Sequence, residues 1–291
     1  MSLRLVPPLP PGTPGDPGLT GPGSVTWHVC RERVVPLGGL SALLLQLAHP
    51  LVAAGVAEHS SFKADPTKRL MLTLEMLLVT TFGDVRQVHQ MTRRIAGIHR
   101  VVHGSLPQDT GEWRRDTPYS AVSPELCLWV HATIVQTMLN SYSTFVRPLD
   151  MNERAELYRE SEGWGQLYGV GQDIRPATYQ DFQDYYARTL SRLVAGDQAR
   201  SVVRIILRAR LRGIPIAPWS YLLAAGLLPA PLRAQYGLRW SAPQRALWWL
   251  FTHAVHVVMC RLAPGRLRFW SHYHAAMARC PGAPLCQPPR S

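Results

Sequence analysis

The sequence predicts an all-α protein: one globular helical domain over residues 24–279, between loose Pro/Gly-rich ends at 1–23 and 280–291. Three observations carry this expectation. Apolar residues recur with helical period, while period-2 alternation and Asn-Gly or Asp-Gly turns are nearly absent. Helix-starting Asp-Pro and Ser-Pro pairs and helix-ending glycines punctuate the chain at helix-length intervals. Hydrophobic residues make up 46% of 291, enough for one sizeable core, which excludes wholesale disorder.

The elements follow in order. Residues 1–23 carry seven prolines and no apolar run of signal-peptide length, which reads as a mobile tail. Between Arg33 and Glu58 lie 24 uncharged residues, long enough to cross a bilayer. Pro36, Gly38, Gly39 and Pro50 interrupt that stretch, and Gln46 and His49 sit inside it. A buried helix Leu40–Ala48, a break at His49-Pro50 and a short helix Leu51–Glu58 fit better. Asp65-Pro66 starts the next helix, with Asp as N-cap and Pro at the first helical position. It runs to Phe82 and stops at Gly83. Asp84 or a neighbour caps a helix reaching about His103, which Gly104 ends.

Ser105–Ser120 reads as a polar loop. Ser123-Pro124-Glu125 opens a helix to Phe145, with Leu128, Ala132, Val135 and Leu139 on one face. Asp150 caps a helix from Asn152 to about Tyr168, and Thr178 or Tyr179 begins another to Val194. Gln198–Leu211 is amphipathic and basic. Two segments broken by Pro215, Pro218, Pro229 and Pro231 follow. Ser241 caps the last clear helix, Pro243–Leu262, in which Ala246–Met259 is uncharged, short for a span, and reads as a buried or interfacial helix.

Charge is unevenly placed. Residues 198–291 hold thirteen Arg and no Lys, Asp or Glu, whereas the first 197 hold 18 basic and 19 acidic groups. The asymmetry implies an anionic partner, a membrane surface or a nucleic acid. No nucleic-acid motif is present, so nucleic acid is not expected. Arg200, Arg204, Arg208 and Arg212 form one helical stripe. It reads either as a membrane-facing surface or as a solvated face paired with the acidic Glu153–Glu162 helix. The five Cys are scattered with no CxxC pair, which argues against a zinc knuckle and for a reducing compartment. A cytoplasmic location is expected, with peripheral attachment at the inner membrane face.

Several side chains could carry chemistry. His99 and His103, four apart, share a face if the helix continues, and together they could hold a metal. Arg69 and Thr73 are also four apart. A buried Arg fork beside a hydroxyl suits a carboxylate, phosphate or propionate, although an exposed Arg would need no such partner. Glu58 and His59 close the long uncharged stretch. Glu58 reads either as a pocket carboxylate able to act as a base or as an ordinary helix-end charge. His49 and His131 lie in apolar contexts and read as core histidines.

The blocks SALLLQLAHPLVAAGVAEHSSF, DPTKRLMLT, FGD and IHRVVHG, then YSAVSPELCLWVHATIV and SYSTFVRPL, resemble the MpaB/rubber-oxygenase family, which includes the latex clearing proteins. The resemblance spans roughly Val34 to Tyr236. It implies an all-helical fold, globin-like in general shape, that binds haem b and its iron through one axial His. The family's Arg-x-x-x-Thr pattern matches Arg69 and Thr73. Its axial His best matches His99, with His103 as the competing assignment. The acid that serves as base in the rubber oxygenases has no motif match here, and Glu58 is the nearest upstream carboxylate. The implied function is a haem-b-dependent oxygenase using dioxygen on a hydrophobic substrate, an unsaturated lipid or terpenoid. The alternatives are a non-catalytic helical haem- or lipid-binding protein, or a peripheral membrane adaptor using the basic last third.

Overall fold

A computed structural model describes residues 6–59, 66–207, 210–211, 214–215 and 217–282. The chain is predominantly helical: α1 (Val25–Cys30), a 3-10 turn (Val35–Gly38), α2 (Gly39–Leu47), α3 (Pro50–His59), α4 (Pro66–Phe82) and α5 (Val85–Arg100) come first. A small hairpin, β1 (His103–Ser105) and β2 (Pro118–Ser120), follows. Then come α6 (Pro124–Phe145), α7 (Met151–Glu160), α8 (Glu162–Leu167), α9 (Tyr179–Arg192) and α10 (Asp197–Leu207). A two-residue ladder pairs β3 (Arg210–Leu211) with β4 (Ile214–Pro215). The chain continues through α11 (Ala217–Leu227), α12 (Ala230–Gln235), α13 (Ala242–Val255), a π-helical turn (His256–Leu262), α14 (Gly265–Arg268) and α15 (Ser271–Arg279).

The core is built around α6. Fourteen of its 22 residues are buried, so it is enclosed on nearly all sides rather than on the single stripe the sequence suggested. Small residues allow this: the 3-10 turn lies so close that a Cβ on Gly38 would fall 2.7 Å from Thr137 Cγ2. Leu44, Leu45 and Leu47 of α2, Phe182 of α9, Val202 of α10 and Ala224 of α11 pack with Trp129, Val135 and Leu139 of α6. The break at His49-Pro50 forms as expected. It turns α3 by 107° from the segment before it, and no single helix among the described residues is long and apolar enough to cross a membrane.

Three expectations need correction. First, α5 stops at Arg100 and not near His103. The backbone groups beyond it are taken by the antiparallel ladder, with His103 opposite Ser120 and Gly104 opposite Tyr119. Gly104 is therefore not a helix end. It makes room for the Tyr119 ring, since a Cβ there would lie 2.6 Å from the phenol oxygen. Second, the Asn152–Tyr168 helix is two helices divided at Ser161, whose hydroxyl donates to Tyr158 O (2.6 Å) and bonds His131 Nε2 (3.2 Å). Third, the described part of the tail expected to be mobile is packed. Val6 and Leu9 are buried with Trp27, Leu78, Phe82 and Tyr273. Thr13 donates its backbone N–H (2.7 Å) and its hydroxyl (3.1 Å) to Asp84 Oδ2. Prolines already restrict this segment in the unfolded chain, so ordering it costs less entropy than ordering a flexible tail.

Asp84 also caps α5 with Gln87 in a reciprocal capping box, as its sequence position implied. The Asp65 cap proposed for α4 lies outside the described residues, as do Arg208 and Arg212. The remaining basic-stripe residues do not reach the acidic α7. Arg200 pairs with Asp197 at 3.6 Å, while Glu153 is held by Arg147 and Glu156 by Arg159.

The C-terminal segment is pinned by one buried ion pair. Arg268 donates Nε (2.8 Å) and Nη2 (2.7 Å) to Glu32, whose side chain is 1% exposed. Glu32→Gln should lower stability by about 2–3 kcal/mol in urea denaturation, near the low end for breaking a buried pair because Arg268 keeps some solvent.

Candidate functional site

Helices α4 and α5 run antiparallel, joined at Gly83, and Glu75 pairs with Arg94 between them at 3.5 Å. This arrangement brings the start of α4 beside the end of α5. Arg69 and His99 therefore become neighbours although thirty positions separate them. His99 is half-buried. Burial first, and then the Arg69 charge, hold its imidazole below the ordinary histidine range. Both causes disfavour the cation, so His99 is neutral at physiological pH and keeps a free nitrogen lone pair.

Arg69 is itself desolvated, and burial pulls its guanidinium below the usual arginine value. Among the described residues no carboxylate pairs with it. Thr73 donates its hydroxyl to the Arg69 carbonyl at 3.1 Å, a bond within the helix that leaves the guanidinium free of Thr73. Around these groups α4 is apolar on several sides without being enclosed: Met71, Leu72, Leu74, Met76 and Leu77 are all half-buried. Only from Leu78 does the helix enter the core.

Glu58 lies in the last turn of α3 and is exposed, rather than lining a closed pocket. Its carboxylate accepts a short hydrogen bond from the Tyr119 hydroxyl on β2. Burial, and then the Glu58 carboxylate, push the Tyr119 phenol above its ordinary value, so it remains protonated and donating. His59 Nε2 bonds the His103 carbonyl at 3.0 Å. The His103 side chain is exposed on β1. His99, on α5, and His103, on β1, thus do not share a helix face.

The candidates fall into two neighbouring groups: Arg69, Thr73 and His99 on the α4–α5 pair, and Glu58, Tyr119 and His59 where α3 meets the hairpin. Val102 lies between them. Its N–H bonds the His99 carbonyl at 3.0 Å, and its side chain packs with Ala54 and Tyr119. Tyr119 was missed in the sequence because it sits in a stretch read as loop. The signal that could have found it is Gly104, a glycine placed to accept a ring across a short ladder. His49 and His131 are core residues, packed against Trp113 and Trp164 with centroids 4.9 and 5.0 Å apart.

A family model described as the catalytic domain of the ER-bound oxygenase mpaB/B′ and rubber oxygenase matches residues 27–257. An uncharacterized protein of Mycobacterium tuberculosis is 25% identical over 219 residues, covering 72% of this chain and 83% of that protein. An uncharacterized protein of Mycobacterium bovis matches to the same extent. No solved structure gives a significant match. The family region begins in α1 and extends through α13, beyond the Val34–Tyr236 span of the sequence blocks. It takes in both groups of candidate residues, and the chain belongs to the mpaB/rubber oxygenase catalytic-domain family.

Proposed function

We propose that the protein is a haem-b-dependent oxygenase that acts with dioxygen on a hydrophobic substrate, an unsaturated lipid or terpenoid. The observation that carries this reading is the Arg69–His99 pair: a neutral, half-buried imidazole beside a desolvated guanidinium with no carboxylate partner among the described residues. The residues present fit a haem. Such a group needs one neutral nitrogen ligand, a cation for its propionates and apolar walls. His99, Arg69 and the half-buried apolar face of α4 match those needs in turn. Among the described residues no group of three His, Cys, Asp or Glu is placed to hold a bare metal ion.

When bound, the haem supplies an iron centre that activates dioxygen. The chain's own residues would do the rest. His99 would hold the iron, and Arg69 would keep that imidazole deprotonated while neutralising a propionate. Thr73, fixed to the helix backbone, would present its oxygen lone pairs to a bound ligand. Glu58 would accept a proton from an allylic carbon of the substrate. Tyr119, donating to Glu58, would fix the orientation of that carboxylate. In this reading the protein works in the cytoplasm at the inner face of a membrane, where apolar substrates accumulate.

Titration of the purified protein with haemin should give an intense Soret band saturating at one haem per chain. Oxygen uptake on a panel of unsaturated lipids and terpenes should then depend on that haem. A protein that takes up no haem overturns the reading. Haem binding without oxygen uptake on any of the panel would leave a binding protein in its place.

A further inference from the structure

The outer face of α13 has the wrong chemistry for a helix in water. Its inner face is well used: Trp248 packs on Phe145 with centroids 5.8 Å apart, and Gly226 is so close that a Cβ would lie 2.6 Å from the Trp248 ring. The opposite face should then be polar. Instead, Leu247, Trp249, Leu250, Val257, Val258 and Leu262 are all large, apolar and exposed along α13 and the π-helical turn. Trp249 is 61% exposed, Leu250 58% and Leu262 71%. Trp219 extends the patch from α11, with its ring 5.7 Å from Phe251, and Leu267 extends it into α14. Eight of the fourteen exposed large apolar side chains among the described residues lie in this one region. Single exposed apolar residues are ordinary, but a contiguous patch marks an interaction surface.

The charges around the patch say what covers it. Arg245, Arg261 and Arg266 are exposed at its borders, and no Asp or Glu follows Asp197 in the sequence. Ion pairs among the described residues use none of these three. An apolar strip edged by arginines and bordered by Trp is the composition of a helix lying in a lipid interface. A second copy of the chain is disfavoured, because two such faces would oppose like charges.

We propose that α13, the π-helical turn and α14 form a docking face for an anionic lipid bilayer. In this arrangement α13 lies in the interface plane, with Trp249, Leu250 and Leu262 at the acyl boundary and Arg245, Arg261 and Arg266 on headgroup phosphates. This names the surface behind the membrane location given above and moves it away from the Arg200–Arg212 stripe. It does not depend on haem.

Co-sedimentation with vesicles tests it, using the protein with and without added haemin. Binding is expected to mixed phosphatidylglycerol/phosphatidylcholine vesicles, and to weaken with salt and with pure phosphatidylcholine. Lipids brominated along the acyl chain should quench part of the tryptophan fluorescence of the unaltered protein. Arg261→Gln and Arg266→Gln should each lower partitioning about fivefold. The triple change Trp249→Ser, Leu250→Ser and Leu262→Ser should lower it more than tenfold, with an unchanged far-UV spectrum because all three are exposed. Three outcomes overturn the proposal: no sedimentation with anionic vesicles, a triple variant that binds like its parent, or a lipid-free dimer that the triple variant dissociates. Failure here with a normal Soret band would leave the haem reading standing, and the reverse result would separate them equally well.

Discussion

His99→Ala is expected to abolish haem binding, while His103→Ala leaves it intact. The sequence alone allowed either residue, because both would face the same way if α5 ran to Gly104. The fold separates them: α5 ends at Arg100, and His103 turns outward on β1 as its backbone joins a ladder. Only His99 sits beside Arg69 in partly desolvated surroundings. Haemin titration of the two variants reads the assignment directly, and loss of the Soret band on His103→Ala alone would reverse it. Arg69→Ala provides a second readout with a defined sign. Arg69 helps hold the His99 imidazole low, so removing it lets that group rise towards an ordinary histidine value near 6.5. Protonation competes with iron for the same lone pair. Acid release of haem should therefore begin at a higher pH in Arg69→Ala than in the parent. An unchanged or lower release pH would show that Arg69 does not act on the ligand.

What the sequence disclosed and what it hid have separate physical causes. Local signals were readable. Asp84, Ser123 and Pro124, Asp150 and Ser241 each mark a helix start found in the structure, because capping is a matter of a few adjacent residues. The approach of Arg69 to His99 was not readable from spacing. It depends on α4 and α5 folding back at Gly83, a tertiary event that periodicity cannot show; the family resemblance implied only that both residues serve the haem site. Tyr119 was hidden for a related reason. A three-residue strand has too few positions to show alternation, so its ring over Gly104 and its bond to Glu58 emerge only when the hairpin closes. The tail misled in the opposite direction. Proline-rich composition suggested disorder, but a restricted segment needs only a few anchors, and Val6, Leu9 and Thr13 provide them. The uncharged run in α13 was legible as buried or interfacial. The structure shows that it is not fully buried: Trp248 and Thr252 fill the inner face, while Leu247, Trp249 and Leu250 are exposed.

Mild acid is expected to cost the fold several kcal/mol between pH 7 and pH 5. Four histidines are buried: His28, His49, His131 and His272. Burial is the main cause lowering each, and it takes His28, His49 and His272 to about 4 and His131 to about 3. In the unfolded chain each would titrate near 6.5. Below that pH the unfolded state takes up protons that the folded state refuses, so stability falls as pH drops. The loss starts near pH 6.5 and continues until each folded group titrates, near pH 4 or, for His131, near pH 3. By pH 5 each histidine contributes a loss of about 2 kcal/mol at most. Four such losses rival the whole stability of an ordinary domain. Glu160 opposes them, because burial raises its carboxyl above the usual range while it accepts from the Val25 and Thr26 backbone at 3.0 and 2.7 Å. It is one group against four. Thermal melts at pH 7, 6 and 5 should therefore show a steep fall in Tm. His49→Gln, which keeps a neutral polar side chain against Trp113, should be less stable at pH 7 yet lose less on acidification. A Tm equal at pH 7 and pH 5, or a His49→Gln slope as steep as the parent's, would mean that these imidazoles gain protons inside the fold. Each would then need an acceptor, and for His28 and His131 the nearest are the Tyr142 and Ser161 hydroxyl oxygens at 2.9 and 3.2 Å, neither able to offset a buried charge.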